Sequence, residues 1–162
     1  MIRVQREDFD VGAEMERLTA GNHRVGGLCV FVGLVRDIAG GAPVGAMTLE
    51  HYPAMTEKQL ADIDAEAVRR WPLEKTLIVH RYGRLEPGDR IVLVAVASAH
   101  RQAAFDACQF LIDWLKTKAP FWKLEEGAEG ARWVEARDAD DVAAARWDDP
   151  GAEAPVRAGP RA

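Results

Sequence analysis

Two β-branched runs, Thr76 to Tyr82 and Ile91 to Ser98, are separated by Leu85-Glu86-Pro87-Gly88-Asp89. Pro-Gly suits the centre of a type II turn, because proline presets its φ and glycine accepts a positive one. So short a connection joins antiparallel neighbours, since a parallel pair needs a crossover of about a dozen residues or more. The two runs are therefore expected side by side and antiparallel.

The remaining elements arrange themselves around that pair. Ile2 to Gln5 is a short strand, and Val11 to Ala20 a helix with Val11, Met15 and Leu18 on one stripe. Val25 to Gly33 is apolar on both parities, as a strand covered on both faces would be. A glycine-rich loop, Leu34 to Pro43, precedes a strand from Val44 to Tyr52 that Pro53 ends. Thr56, with Gln59 three residues on, predicts a capped helix reaching Trp71 and burying Leu60, Ile63, Ala67 and Val68. The longest helix is expected from Ala99 to Lys118. Phe105, Cys108, Ile112 and Leu115 form its buried stripe, and Gln102, Asp106, Gln109, Asp113 and Lys116 its polar one. Phe121 to Leu124 and Arg132 to Glu135 read as a closing hairpin around Gly127 and Gly130, and Asp140 to Trp147 as a last helical turn or two. The fold class is α+β, a mixed and mainly antiparallel sheet with two main helices packed against it. Residues 1–147 form one domain, and the proline-, glycine- and alanine-rich residues 148–162 are expected to be a disordered tail.

Charge and composition exclude several function classes. A net charge of −5 suits neither nonspecific nucleic-acid binding nor an anionic membrane surface. The longest uncharged apolar stretch, Val25 to Val35, is about eleven residues, short of the roughly 18 that span a bilayer. The first residues have no apolar run behind their charges, so no signal peptide is expected and the chain reads as cytoplasmic. Cys29 and Cys108 form no disulfide framework, and the histidines have no metal-ligand spacing, so no metal site is expected.

Three segments carry possible chemistry. Ser98-Ala99-His100-Arg101 lies where a strand gives way to the long helix, with Ser98 placed to cap it. Cations are unfavourable at that positive end unless an anion such as phosphate or carboxylate docks there. Alternatively Arg101 pairs with a surface carboxylate and His100 is structural. From Ser98 to Lys123 there are four Lys/Arg against two Asp, and Lys116 and Lys123 flank the proline turn. Both lysines also fit as ordinary complements to the helix end, with Asp113 and Lys116 an i,i+3 pair. Phe121 and Trp122 beside them could wall a pocket for a planar ring. Arg36, after the first long apolar strand, offers a planar fork to carboxylate or phosphate.

In their order, the strings FVGLVRD (Phe31 to Asp37), TLEHYPAMTEK (Thr48 to Lys58), SAHR (Ser98 to Arg101), LKTKAPFWK (Leu115 to Lys123) and RWVEAR (Arg132 to Arg137) resemble the large catalytic subunit of molybdopterin synthase. The resemblance extends to Trp147. It implies an α/β hammerhead homodimer that binds a small ubiquitin-like subunit at each end, making a heterotetramer. The small subunit's C-terminal Gly-Gly thiocarboxylate would thread into a pocket and give two sulfurs in turn to cyclic pyranopterin monophosphate, forming the dithiolene of molybdopterin. No metal or other cofactor takes part in that step. Carried over by position, Lys116 and Lys123 are the catalytic pair, and Arg36, His100 and Arg101 complete the pocket. Leu34, Val35, Leu124 and Glu125 are implied neighbours of substrate, and Arg137 a basic position near the site. Some relatives carry lysine where this chain has Leu34. Two other functions remain open on the residues alone: a phosphate-ester or pterin-modifying enzyme without a protein sulfur donor, and a dimeric adaptor that captures a partner's C-terminal carboxylate.

Overall fold

A computed structural model describes residues 1–39, 42–43, 45–127, 130–134 and 138–148. Its elements in chain order are β1 (Ile2–Gln5), α1 (Val11–Thr19), β2 (Gly27–Leu34), β3 (Ile38–Ala39), β4 (Ala42–Pro43), β5 (Ala46–His51), α2 (Pro53–Arg70), β6 (Leu73–Arg81), β7 (Gly83–Leu85), β8 (Arg90–Ser98), α3 (Arg101–Lys118), β9 (Phe121–Gly127), β10 (Gly130–Val134) and α4 (Asp138–Ala145). Arg137 and the expected tail beyond Asp148 lie outside the described residues.

The class is α+β, but the one expected sheet is two. The first runs β1-β6-β8-β2, with β1 parallel to β6 and the other pairs antiparallel. The second runs β10-β9-β5-β7 and is antiparallel throughout. The Pro-Gly turn forms as expected: Gly88 has φ 93°, and the Asp89 N–H donates to the Glu86 carbonyl at 2.9 Å. The chain between β6 and β8 is more than a hairpin, because β7 leaves the first sheet to pair with β5.

Central strands of the first sheet are buried on both faces, and residue parity decides the neighbour. Ile78, Val94 and Val96 face a core with Leu60, Ile63, Phe110 and Leu111 of α2 and α3. Leu77, Val79, Leu93, Ala95 and Ala97 face Phe9 and Leu18 beside α1. Each fully buried aliphatic side chain contributes about 1.5–3 kcal/mol. A smaller cluster of Val35, Met47, Leu49 and Leu85 lies against the second sheet.

Several local expectations are corrected. α2 starts at Pro53, after Tyr52, and Thr56 is buried inside the helix instead of capping it. Proline fits the first helical turn because the N–H it lacks would have no partner there. Val68 is 53% exposed and Phe105 is 57% exposed, so neither belongs to a buried stripe. The buried face of α3 is Ala103, Ala104, Ala107, Cys108, Phe110, Leu111 and Leu115, whose small alanines allow close approach to the sheet. β2 is an outer strand, not one covered on both faces: Val30 and Phe31 at its middle are 37% and 38% exposed. Ile38–Ala39 and Ala42–Pro43 pair within the expected loop.

α3 is fixed at both ends. Its N-cap is His100, not Ser98; the Ser98 hydroxyl donates to the Pro72 carbonyl at 2.8 Å and accepts from the His100 N–H at 3.1 Å. Gly26 allows the helix start to lie on the start of β2, since a Cβ there would stand 2.4 Å from the Ala99 carbonyl oxygen. Near the other end, Asp113 ion-pairs with Arg146 and accepts from the Trp147 indole N–H at 2.8 Å. The Trp147 carbonyl accepts from Arg70 at 2.6 Å, and its ring meets Trp71 and Phe110 edge-on. Among the described residues no helix is long and apolar enough to cross a membrane.

A ring stack ties the two sheets together. His80 of β6 lies on Phe121 of β9 at 3.8 Å between centroids, and His51 of β5 lies 5.7 Å from the same ring. Burial lowers His80 to a pKa of about 4, with His51 adding to the effect and the Arg81 carbonyl opposing it. An unfolded His80 takes its proton near pH 6.5, the folded one only near 4, so acid favours unfolding across that window. Urea denaturation is expected to show stability whole above pH 6.5 and falling toward pH 4, by up to about 3 kcal/mol from this group. His80→Phe keeps a ring in the stack and should flatten that part of the slope; an unchanged slope would remove His80 as its cause. Asp8 and Glu66, both held near pKa 2 chiefly by hydrogen bonds from arginine, add their own losses at lower pH.

Candidate functional site

α3 divides the candidate residues into two groups. It has 18 residues and hence a length of roughly 27 Å. His100 and Arg101 stand at its first turn, and Lys116 in its last. α3 runs back along β8, so its end packs near the finish of β2: Leu115 shares a cluster with Val92, and Val92 pairs with Gly33. Val35 packs with Met47 and Leu49, which pair with Glu125 and Lys123. Leu34, Val35, Arg36, Lys116, Lys123, Leu124 and Glu125 therefore gather at one end of the fold. His100 and Arg101 lie at the other end, beside Gly26 and Gly27. The anion site expected from His100, Arg101 and Arg36 together does not assemble within one chain.

Lys116 is exposed, and the Asp113 carboxylate expected beside it is occupied by Arg146 and Trp147. Among the described residues no ion pair includes Lys116. Lys123 is only part-exposed, and its ammonium sits 2.5 Å from the Glu125 carboxylate, which is 4% exposed. The Arg132 guanidinium reaches the other Glu125 oxygen at 3.7 Å. Strand alternation puts Lys123 and Glu125 on one face of β9 and Leu124 on the other. Lys123 is thus a paired cation and Lys116 an exposed one in the last turn of a helix.

Arg36 is exposed and follows Val35, which is 6% exposed and part of the core. It borders an open groove of about 530 Å³ with Val35, Asp37, Pro87 and Gly88. Leu34 is 54% exposed and brings no charge. Phe121 and Trp122 do not make one wall: Phe121 lies in the histidine stack, while Trp122 meets Tyr52 edge-on at 5.0 Å on the outer face.

Residues 4–118 match the MoaE protein family. The chain belongs to the MoaE family. It is 60% identical to the molybdopterin synthase catalytic subunit of Pseudomonas aeruginosa over 148 residues, 91% of this chain and 99% of that protein. Its structure is similar to the molybdopterin biosynthesis MoaE protein from Burkholderia ambifaria, with a TM-score of 0.78 and 55% identity, covering 91% of this chain and 97% of the other. The molybdopterin synthase of Staphylococcus aureus superposes at a TM-score of 0.76 and 34% identity, covering 82% and 96%. The family expected from the sequence strings is the one found.

Arg132 is the residue of this MoaE-family site that sequence reasoning passed over. Its signal was faint: a position in the closing hairpin that falls directly opposite Glu125 in the register of β9 and β10. Burial raises the Cys108 thiol pKa, with Cys29 adding to the shift, which suits packing and not nucleophilic attack. Among the described residues no group of three His, Cys, Asp or Glu could hold a metal ion.

Proposed function

We propose that the chain transfers sulfur as the catalytic subunit of a molybdopterin synthase. The donor is the C-terminal Gly-Gly thiocarboxylate of a small ubiquitin-like subunit, and the acceptor is cyclic pyranopterin monophosphate. Membership of the MoaE family carries this reading. The thiocarboxylate sulfur bonds to a substrate carbon as an oxygen leaving group departs. Water then cleaves the resulting thioester, so that sulfur stays on the pterin and the small subunit leaves as a carboxylate. Negative charge develops on oxygen at both stages. The ammonium groups of Lys116 and Lys123 stabilise that charge as it forms, and Lys123, already paired with Glu125, needs little reorganisation to do so. Glu125 and Arg132 hold Lys123 in place. Arg36 gives the substrate's phosphate a planar, always charged fork. The reading assigns the step no metal or cofactor and sets it in the cytoplasm.

His100 and Arg101 enter the same site from a second copy. β2 is an open sheet edge whose exposed Val30 and Phe31 favour pairing with another chain. Laid antiparallel across a two-fold axis at those residues, two copies bring the Gly27 end of one β2 to the Leu34 end of the other. His100 and Arg101 of one protomer then meet Arg36 and Lys116 of its partner. With a small subunit at each end, the assembly is a heterotetramer.

Incubation with a thiocarboxylated small subunit and the cyclic pterin is expected to yield the dithiolene, detected as a derivatised product. Binding of the small subunit without product would point to an adaptor. Product formed without the small subunit would point to a pterin-modifying enzyme.

A further inference from the structure

We infer that the Glu86–Asp89 turn is a positioning device for Arg36, with Gly88 the residue on which it depends; this rests on the reading of Arg36 as a phosphate ligand. Regular pairing of β2 with β8 is interrupted by an irregularity between Gly33 and Leu34, just before the arginine. Without further ties the chain carrying Arg36 would be free to shift. The turn supplies them. The Val35 N–H donates to the Asp89 carbonyl at 2.9 Å, and the Gly88 N–H donates to the Val35 carbonyl at 2.8 Å. Val35 is thereby held from both of its backbone groups, and its buried side chain fixes which way its neighbours point.

The turn is rigid for its own reasons. Its closing bond runs from the Asp89 N–H to the Glu86 carbonyl at 2.9 Å, and the Glu86 N–H donates back to the Asp89 carboxylate at 2.8 Å. Gly88 holds φ 93°, a conformation costly for residues with a Cβ. A Cβ there would meet nothing within 4 Å, so the restriction is conformational and not steric. A substitution acts through the direction of the Gly88 N–H, hence on Val35, hence on Arg36. Pro87 and Gly88 also line the groove that Arg36 borders.

The test is steady-state sulfur transfer with the cyclic pterin varied and the thiocarboxylated small subunit saturating. Gly88→Val should raise KM for the pterin about tenfold and leave kcat within about twofold, the pattern of lost ground-state binding. Gly88→Asn tolerates a positive φ and should restore most of the affinity. The double variant Gly88→Val with Arg36→Ala should be no worse than Arg36→Ala alone, since both act through one side chain. If Gly88→Val does not accumulate as folded protein, Gly88→Ala carries the same comparison without the β-branch. A normal KM in the glycine variants beside a raised KM in Arg36→Ala overturns the positioning role and leaves Arg36 as ligand. A normal KM in Arg36→Ala overturns both. Effects of Gly88→Val and Arg36→Ala that multiply would show that the turn acts elsewhere and would also overturn it.

Discussion

Replacing Lys116 by alanine is expected to cut sulfur transfer by about a hundredfold or more, the scale of losing one group that stabilises developing charge. The fold should hardly notice. Lys116 is exposed and, among the described residues, makes no ion pair, so only its favourable position at a helix C-terminus is lost, a few tenths of a kcal/mol. Binding of the small subunit should survive, because no packing depends on this side chain. Lys116→Arg keeps a charge but replaces a compact ammonium with a wide planar fork, so it should recover little activity. Lys118→Ala is the control, and the structure gives it a distinct profile. The Lys118 ammonium lies 3.5 Å from the centre of the Trp114 ring, so its loss should cost about 0.5–1 kcal/mol of stability with turnover unchanged. Single-turnover rates and urea denaturation separate the two outcomes. Near-normal single-turnover transfer by Lys116→Ala would remove it from the chemistry.

A heterodimer of two disabled chains should work at about half the wild-type rate, because a two-fold axis leaves one of its two sites whole. The chains are Lys116→Ala and Arg101→Ala, each expected to be severely impaired as a homodimer. One site then takes both altered residues and the other takes neither. Co-expression with two different affinity tags isolates the mixed species, and sulfur transfer per dimer is the measurement. If each site were built within one chain, both would carry a lesion and the mixed species would be as poor as its parents. Phe31→Asp supplies a second check on the same surface. A charge at the middle of the β2 edge should leave the monomer folded, halve the mass seen by light scattering and abolish transfer. A monomeric Phe31→Asp protein with full activity would refute a site shared between copies.

The sequence and the structure agree where a signal is local. The Pro-Gly turn, the β-branched runs, the C-terminal ends of α2 and α3 and the closing hairpin all follow from residues within a few positions of one another. Disagreement begins where a distant partner decides. The stripe through Phe105, Cys108, Ile112 and Leu115 has helical spacing, but Ala103, Ala104 and Ala107 turn the helix so that Phe105 faces outward. Small residues carry little hydrophobic signal, yet they are what a helix needs to lie close on a sheet. The division into two sheets depends on β7 and β9 pairing with β5, a register no local pattern encodes. His100, Arg101, Arg36, Lys116 and Lys123 all stand out in the sequence in informative places. Their separation along α3 was implicit in the helix length, but not which of them share a β2 end.

The contacts around Trp147 bear on how long the folded state lasts. Its carbonyl closes a loop of 77 residues to Arg70, and its indole closes 34 to Asp113. Loop closure of that span is entropically costly, so contacts within β6, β8 and α3 can form before the clasp does. Interactions absent from the folding transition state act mainly on the rate of unfolding. Truncating the Trp147 side chain is therefore expected to speed unfolding more than it slows folding, the mark of a clasp that forms late.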